Sequence, residues 1–438
     1  MVSQPPQWLA TARMLRRTGF GTTGAQVDAV VKQDWSAYLD WVLSLDPNAD
    51  PGAVATPMPK SPIPQYPPSG ASATEIAAFG QELVARMQVL SGWWLRRMAA
   101  VQQPIHEKLT LLWHNHFATS AEKVNAAQLM GEQNEKLRTL KLGDFGSLAW
   151  AMLTDGAMLH WLDGDVNTAA APNENLSREF MELFTMGHAN GYTEIDVKEG
   201  AKALTGRHLR PDGSTAVYAE HHDESVKTVL GVTGDLTDTD FCNIVLRQPA
   251  SAAFVAGTLW RLLASDQPAS PDTVTRLVAA YGPNRDLKAL TKAVVLDPEF
   301  TKAAGTVVST PVEWLMGIVR SLAVPLDDDH VLADLDQVLR VMGQRPFYPP
   351  DVGGWPRGQL WLSTNSAAAR VWAANRLLAL SDISAVEKMA SSERIDGVGY
   401  LFGIGAWSDR SAAALKPLVS DPHRLVAAAV ITPEYVTS

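Results

Sequence analysis

IHEKLTLLWHNHFA, running from Ile105 to Ala118, is the stretch on which the fold reading turns. As a helix advancing about 100° per residue, it places Ile105, Leu109, Leu112 and His116 on one side. Glu107, Leu111, His114 and Ala118 fall on the opposite side, with Trp113 and Phe117 between them. A helix apolar nearly all round belongs in an interior. Glu107 and His114 are therefore expected to be buried and to need partners. His114 and His116 face roughly opposite ways and cannot share one metal while the helix lasts. The plain reading of both is a hydrogen-bonded core histidine; the functional reading is that one of them lines a site.

The neighbours extend the helical pattern in both directions. A long run starts at Thr74 (TEIAAFGQELVARMQVLSGWWLRRMAAV), and Pro104 stands where a new helix can begin. Helical runs follow over 123–140 and 145–161, and PNENLSREFMELFTMG is closed by Gly187. Thr193-Glu-Ile-Asp196 has the form of a capping box and opens another helix, ending at Gly206. Residues 207–240 are rich in Gly, Asp and Thr, with a β-hairpin candidate at Lys227–Gly231. Helices resume from about 240 to 342, and 343–362 reads as a Pro/Gly/Trp loop. Residues 6–45 are helical, and 47–70 form a Pro-rich connector, draped over the surface or mobile. The expectation is an all-α fold, a large multi-helix orthogonal bundle with one small β-hairpin insertion near 207–235. Its divisions would be 1–46 (N-terminal helices), 47–71 (connector) and 72–438, the main helical domain with the motif residues.

Composition sets outer limits. Apolar residues make up 46% of the 438, enough for a substantial core and against global disorder. A formal charge of −10 argues against nucleic acid or an anionic membrane as the main partner. Cys242 is the single cysteine, so neither an internal disulfide nor a multi-cysteine zinc site can form. No run approaches the roughly 18 apolar residues of a membrane span. The start, MVSQPPQWLATARMLRRTGFG, lacks the long apolar segment of a signal peptide, so the chain as it stands reads as cytoplasmic. Phosphate-loop, nucleophile-elbow and H-E-x-x-H motifs are absent from the sequence.

One loop is spaced to hold something. In WLDGDVNTAAAPNENLSREFMELF, counting Asp163 as position one, Asp165 is three, Asn167 five and Glu174 twelve. That is the ligand spacing of a helix–loop–helix calcium site, where short oxygen-bearing side chains converge on a hard cation. The loop departs from the pattern at position six, where Thr168 replaces the turn glycine, and at position ten, Pro172. The competing reading is a helix-capping loop, with Asp163 as a turn residue and Asn173 or Glu174 at the next helix start.

Beyond the loop, Glu174 can pair with Arg178 at i+4. Asn175, Glu179 and Glu182 form a polar stripe: a solvated face, or paired carboxylates for acid–base work or a divalent ion. His221, His222 and Asp223 offer a further set of possible ligands, although a surface loop is the simpler reading. Phe347, Tyr348, Trp355 and Trp361 could stack on sugar rings, or simply cover a helical core.

These segments together carry a resemblance. MLRRTGFG, EKLTLLWHNHFATSAEKV, MGEQNEKLR, AMLHWLDGDVN, PNENLSREFMELFTMG, GYTEIDVKEGAKALTGR, HDESVKTVLG and GQRPFYPPDVGGWPRGQLWL are similar to the bacterial family catalogued as domain of unknown function 1800, over roughly residues 10–380. The resemblance implies no assigned biochemical role. It implies genetic neighbours similar to the sulfatase and alkaline-phosphatase superfamily, and family members that often carry export signals. The family pattern falls on His114, His116, Asp163, Asn167, Asn173, Glu174, Asn175, Arg178, Glu179, Glu182, Thr193, Glu194, Asp196, His222, Asp223 and Lys227, and leaves the position of Asp165 variable.

Two functions follow as expectations. The first is a metal-dependent hydrolase acting on a cell-surface or secreted polymer. In it Asp163, Asp165, Asn167 and Glu174 hold Ca²⁺ or another divalent cation, Glu179 or Glu182 acts as base, and His114 or the His222-Asp223 loop supplies an acid or ligand. The second is a non-catalytic helical scaffold or binding partner of a sulfatase-like protein, in which the polar motifs fix helix packing. An enzyme should gather these side chains around one solvent-reachable pocket; a scaffold should have them sealed or scattered.

Overall fold

The helix Ile105–His116 is where the molecule is organised: every residue in it except Asn115 is buried. Its two faces enter different cores. Leu111 joins a cluster with Trp94, Trp314, Leu339 and Leu377. Ile105, Leu109, Leu112 and Trp113 join a second cluster with Phe117, Phe145, Phe184 and Leu259. The helix is thus a wall between two cores, as an all-round apolar pattern requires. The computed structural model describes residues 3–302 and 307–438. It is mostly helical, at 61%, and its β content is two antiparallel two-stranded sheets, which makes the fold all-α with a small β insertion.

The buried polar groups of the central helix find their partners on neighbouring helices. Glu107 accepts from Trp94 Nε1 at 2.8 Å and Arg97 Nε at 2.7 Å, and from Arg138 through Nε at 2.8 Å and Nη2 at 2.9 Å. Burial pushes the carboxyl up, but the two guanidinium groups outweigh it and hold the pKa near 2. Trp94 and Arg97 belong to the 28-residue helix Ala73–Ala100, opened by a capping box between Ser72 and Glu75. Arg138 belongs to Ala127–Leu140. One carboxylate therefore ties three helices together.

The Pro-rich segment is draped over the long helix. Trp93 Nε1 donates to the Thr56 carbonyl at 2.8 Å, and the Tyr66 and Phe79 rings lie 5.2 Å apart. It is not wholly extended: Pro51–Ala55 forms a short helix, because Asp50 caps it and Pro51 suits a first turn. The N-terminal helices Pro6–Thr18 and Trp35–Val42 place Met14, Leu39 and Val42 in the second core beside Leu109.

The insertion holds two hairpins. Arg207–Leu209 pairs with Thr215–Val217, and Lys227–Val229 pairs with Val232–Gly234. In the second, Leu230 and Gly231 both have positive φ (48° and 80°), the backbone of a two-residue turn that matches strand twist. The helical run expected over 145–161 is broken in two, Phe145–Leu153 and Gly156–Trp161, because Asp155 caps a new start through the Met158 N–H.

Candidate functional site

The loop after Trp161 is built differently from a cation cradle. Asp163 lies in the left-handed region (φ 58°), and Gly164–Val166 winds into a 3₁₀ turn, so the chain bends at its start rather than at Thr168. Asp163 accepts from Lys123 Nζ at 2.6 Å and from Asn175 Nδ2 at 3.2 Å. Asp165 pairs with His160 Nδ1 at 2.9 Å. Asn167 is buried at 1% exposure; it donates to the Ala201 carbonyl and accepts from the Asn173 N–H, at 2.9 and 2.8 Å. Its own carbonyl accepts from the Gly206 N–H at 2.9 Å. Glu174 lies beside Arg178, which also clamps Glu194 through both terminal nitrogens at 2.7 Å. Placed this way, the four residues make no single coordination shell. Among the described residues, no three His, Cys, Asp or Glu side chains are grouped to hold a metal ion.

The glutamate stripe sits where the helix changes its winding. Asn175–Glu179 is α-helical, and Phe180–Thr185 continues it as a π-helix. Glu179 is half-buried; burial first, and then the charge of Glu182, push its carboxyl up. Glu182 bonds His188 Nδ1, and accepts from the Tyr192 hydroxyl at 3.2 Å. The two carboxylates are close enough for the charge of Glu182 to weigh on Glu179, with His188 and Tyr192 beside Glu182.

The three motif histidines lie elsewhere. His114 is fully buried against Trp94, Phe347 and Trp355. Its Nε2 accepts from the Phe347 N–H at 3.2 Å, so the proton resides on Nδ1, which has no partner. Burial pushes its pKa down to about 3. His222 donates from Nδ1 to the Thr205 carbonyl at 2.9 Å, and Asp223 accepts from the Ser225 N–H in a tight turn. That turn, led by the Ser225 contact, holds the Asp223 carboxyl down. His116 donates to the Phe184 carbonyl at 2.8 Å.

One arrangement escaped the sequence reading. A cleft of about 790 Å³ is lined by Ile63, Tyr66, Leu129, His160, Asp165 and His208. His208 Nδ1 donates to the Asp165 carbonyl at 2.7 Å, and its Nε2 lies 2.7 Å from His221 Nδ1. With the Nδ1 proton committed to the carbonyl, a neutral His208 can only accept at Nε2, so His221 is the donor. His160 and Asp165 are five residues apart across a helix end, and His208 comes from a strand. No helical or strand repeat links such positions in sequence.

Fold and site together define a mostly helical protein with a small β insertion, whose polar motif residues are engaged with one another in several separate places. The chain belongs to the family described as Protein of unknown function (DUF1800), whose pattern matches residues 13–437, nearly its whole length. No curated protein and no solved structure matches it. No helix among the described residues is long and apolar enough to cross a membrane.

Proposed function

We propose that this protein is a non-catalytic helical scaffold that acts by binding a partner, the sulfatase-like protein implied by the resemblance being the first to test. One observation carries the reading. The motif side chains occupy separate places, and most of their polar atoms are satisfied within the protein: Asp163 on Lys123, Asn167 on Ala201 and Asn173, Glu174 on Arg178, His222 on Thr205. Groups so engaged fix geometry rather than await a substrate. Co-expression of the full chain with the sulfatase-like protein, followed by size-exclusion chromatography, should give a joint peak. Separate elution, together with polymer hydrolysis by the chain alone that E179Q or E182Q abolishes, would overturn the reading.

The metal-dependent hydrolase remains as a second reading, favoured by the loop spacing and by one structural fact. The cations on Asp163 and Glu174 are partly exposed (Lys123 38%, Arg178 31%), so a divalent ion could displace them at small cost. Asp163, Asp165, Asn167 and Glu174 would then have to regroup around the ion, beside Glu179 and Glu182. Stoichiometric calcium in the purified protein would support this reading over the first.

A further inference from the structure

The motif GGWPRGQLW, left without a role so far, meets the motif LWHNHF at a small cavity. Gly354 is required there, because a Cβ would come within 2.4 Å of Asn115 Oδ1, and Asn115 accepts from the Trp355 N–H at 2.7 Å. This contact lays the following residues, Pro356 to Gly358, along a cavity of about 40 Å³. Its polar walls include Asn115, Arg261, Asp266, Glu313, Gln344 and Arg357.

The two arginines are anomalous in this molecule. Among the described residues, every other arginine that is not exposed makes a hydrogen bond or ion pair, as Arg345 does with Asp336 and Arg207 with Asp238. Arg261 and Arg357 make none, and Arg261 Nε is buried without a partner. They are close enough for the charge of Arg261 to weigh on Arg357, which burial first and that charge second push down to about 10, against a smaller opposing pull from Asp266. Of the two acids nearby, Glu313 is occupied and Asp266 only in part, without reaching either arginine. Glu313 is bound by Lys108 and by the Thr310 N–H, and Asp266 accepts from the Val308 N–H at 3.1 Å. Residues 1–2 and 303–306, outside the described set, are Met, Val, Ala, Ala, Gly and Thr and bring no carboxylate. Asp266 offsets part of the charge on Arg357 from a distance; two half-buried like charges facing one cavity with no anion in hydrogen-bond contact remain costly unless something else neutralises the rest.

We propose that Arg261 and Arg357 form a binding site for a tetrahedral oxyanion, phosphate or sulfate, with Asn115 as a neutral donor. The forked guanidinium matches such oxygens, two at a time. A single water needs about 10–15 Å³ of such space, so what enters the cavity itself is a group the size of one small oxyanion. The Asn115 amide is oriented for this, since its oxygen is committed to Trp355 and its Nδ2 is left to donate.

The test uses the full chain, with inorganic phosphate and sulfate as probes, in melting and calorimetric titrations at constant ionic strength set by chloride. Saturable binding to either ion, with a rise in Tm that chloride does not reproduce, is expected. R261Q and R357Q should each weaken affinity at least tenfold, R357K less, and the double variant should abolish it. The anion-free Tm of R261Q or R357Q should stay level or rise, because one of two repelling charges is gone. Methyl phosphate binding more tightly than phosphate would mark the ligand as the end group of a larger molecule; the reverse order would mark a free ion. The proposal is overturned if chloride gives the same shift, if the double variant keeps its affinity, or if the single variants only lose stability without any change in anion affinity.

Discussion

Glu107 and His114 show how much a single buried polar residue decides here. Glu107 faces two guanidinium groups and an indole N–H inside the protein. Replacing it by Gln removes the charge, leaving Arg97 uncompensated and Arg138 with only the partly exposed Glu135, which should cost about 3–5 kcal/mol in urea unfolding. His114 supplies the acceptor for the N–H of Phe347, a residue held at a positive φ of 69°. H114L removes that acceptor and should cost about 1–3 kcal/mol, whereas a catalytic histidine could be changed with little loss of stability. That both residues would be buried and in need of partners was legible from the helical pattern of 105–118. Who the partners are was not. Arg138 and Phe347 lie 31 and 233 residues further along, and nothing in local periodicity points to them.

At the scale of the element, the 163–174 loop is a brace between helices. Asn167 is its centre, buried, with three hydrogen bonds reaching the helix Glu194–Ala203, the Gly206 turn and the Asn173 backbone. N167A should therefore cost about 1–3 kcal/mol, since it takes one of two donors from the Ala201 carbonyl and the acceptor from the part-buried Asn173 N–H. D163N removes only a partly exposed ion pair and should change stability by less than about 1 kcal/mol. A calcium loop would rank the two differently, with the charged ligand mattering most in the presence of the ion. The spacing of the oxygen-bearing residues was plain in the sequence, but the 3₁₀ turn at Gly164–Val166 was not. The π-helix at Phe180–Thr185 was equally hidden, because it arises from an i+5 closure that a 3.6-residue pattern does not announce. The capping boxes at Thr193 and Ser72 and the hairpin around Leu230-Gly231 are local devices. Of these, the sequence announced the Thr193 box and the hairpin.

Across the whole molecule, buried histidines set the response to acid. His106, His114 and His116 are all pushed down by burial, to about 4, 3 and 4. Their unfolded counterparts titrate near 6.5. Between those values the unfolded chain binds more protons than the native one, so stability is fully present above about pH 6.5 and falls as pH drops toward 4. Glu107, held down near 2, adds a further loss below about pH 4.5. Urea midpoints measured from pH 7.5 to 4 should decline in this order; a flat profile between 7 and 5 would mean that the histidines are not buried as neutral groups. The two-core plan follows from composition and pattern, since a fully apolar helix must have core on both sides. The places where distant segments meet, such as the His160, Asp165, His208 and His221 cleft, depend on tertiary contacts that the sequence does not print.

The most direct test of the claim that the motif residues are braces held by one another, rather than ligands of an ion, is elemental analysis of the purified chain with melting curves in EDTA and in added Ca²⁺. The expected result is no stoichiometric divalent metal and superimposable curves. One bound ion per chain, with a Tm that falls in EDTA and is restored by Ca²⁺, would contradict it.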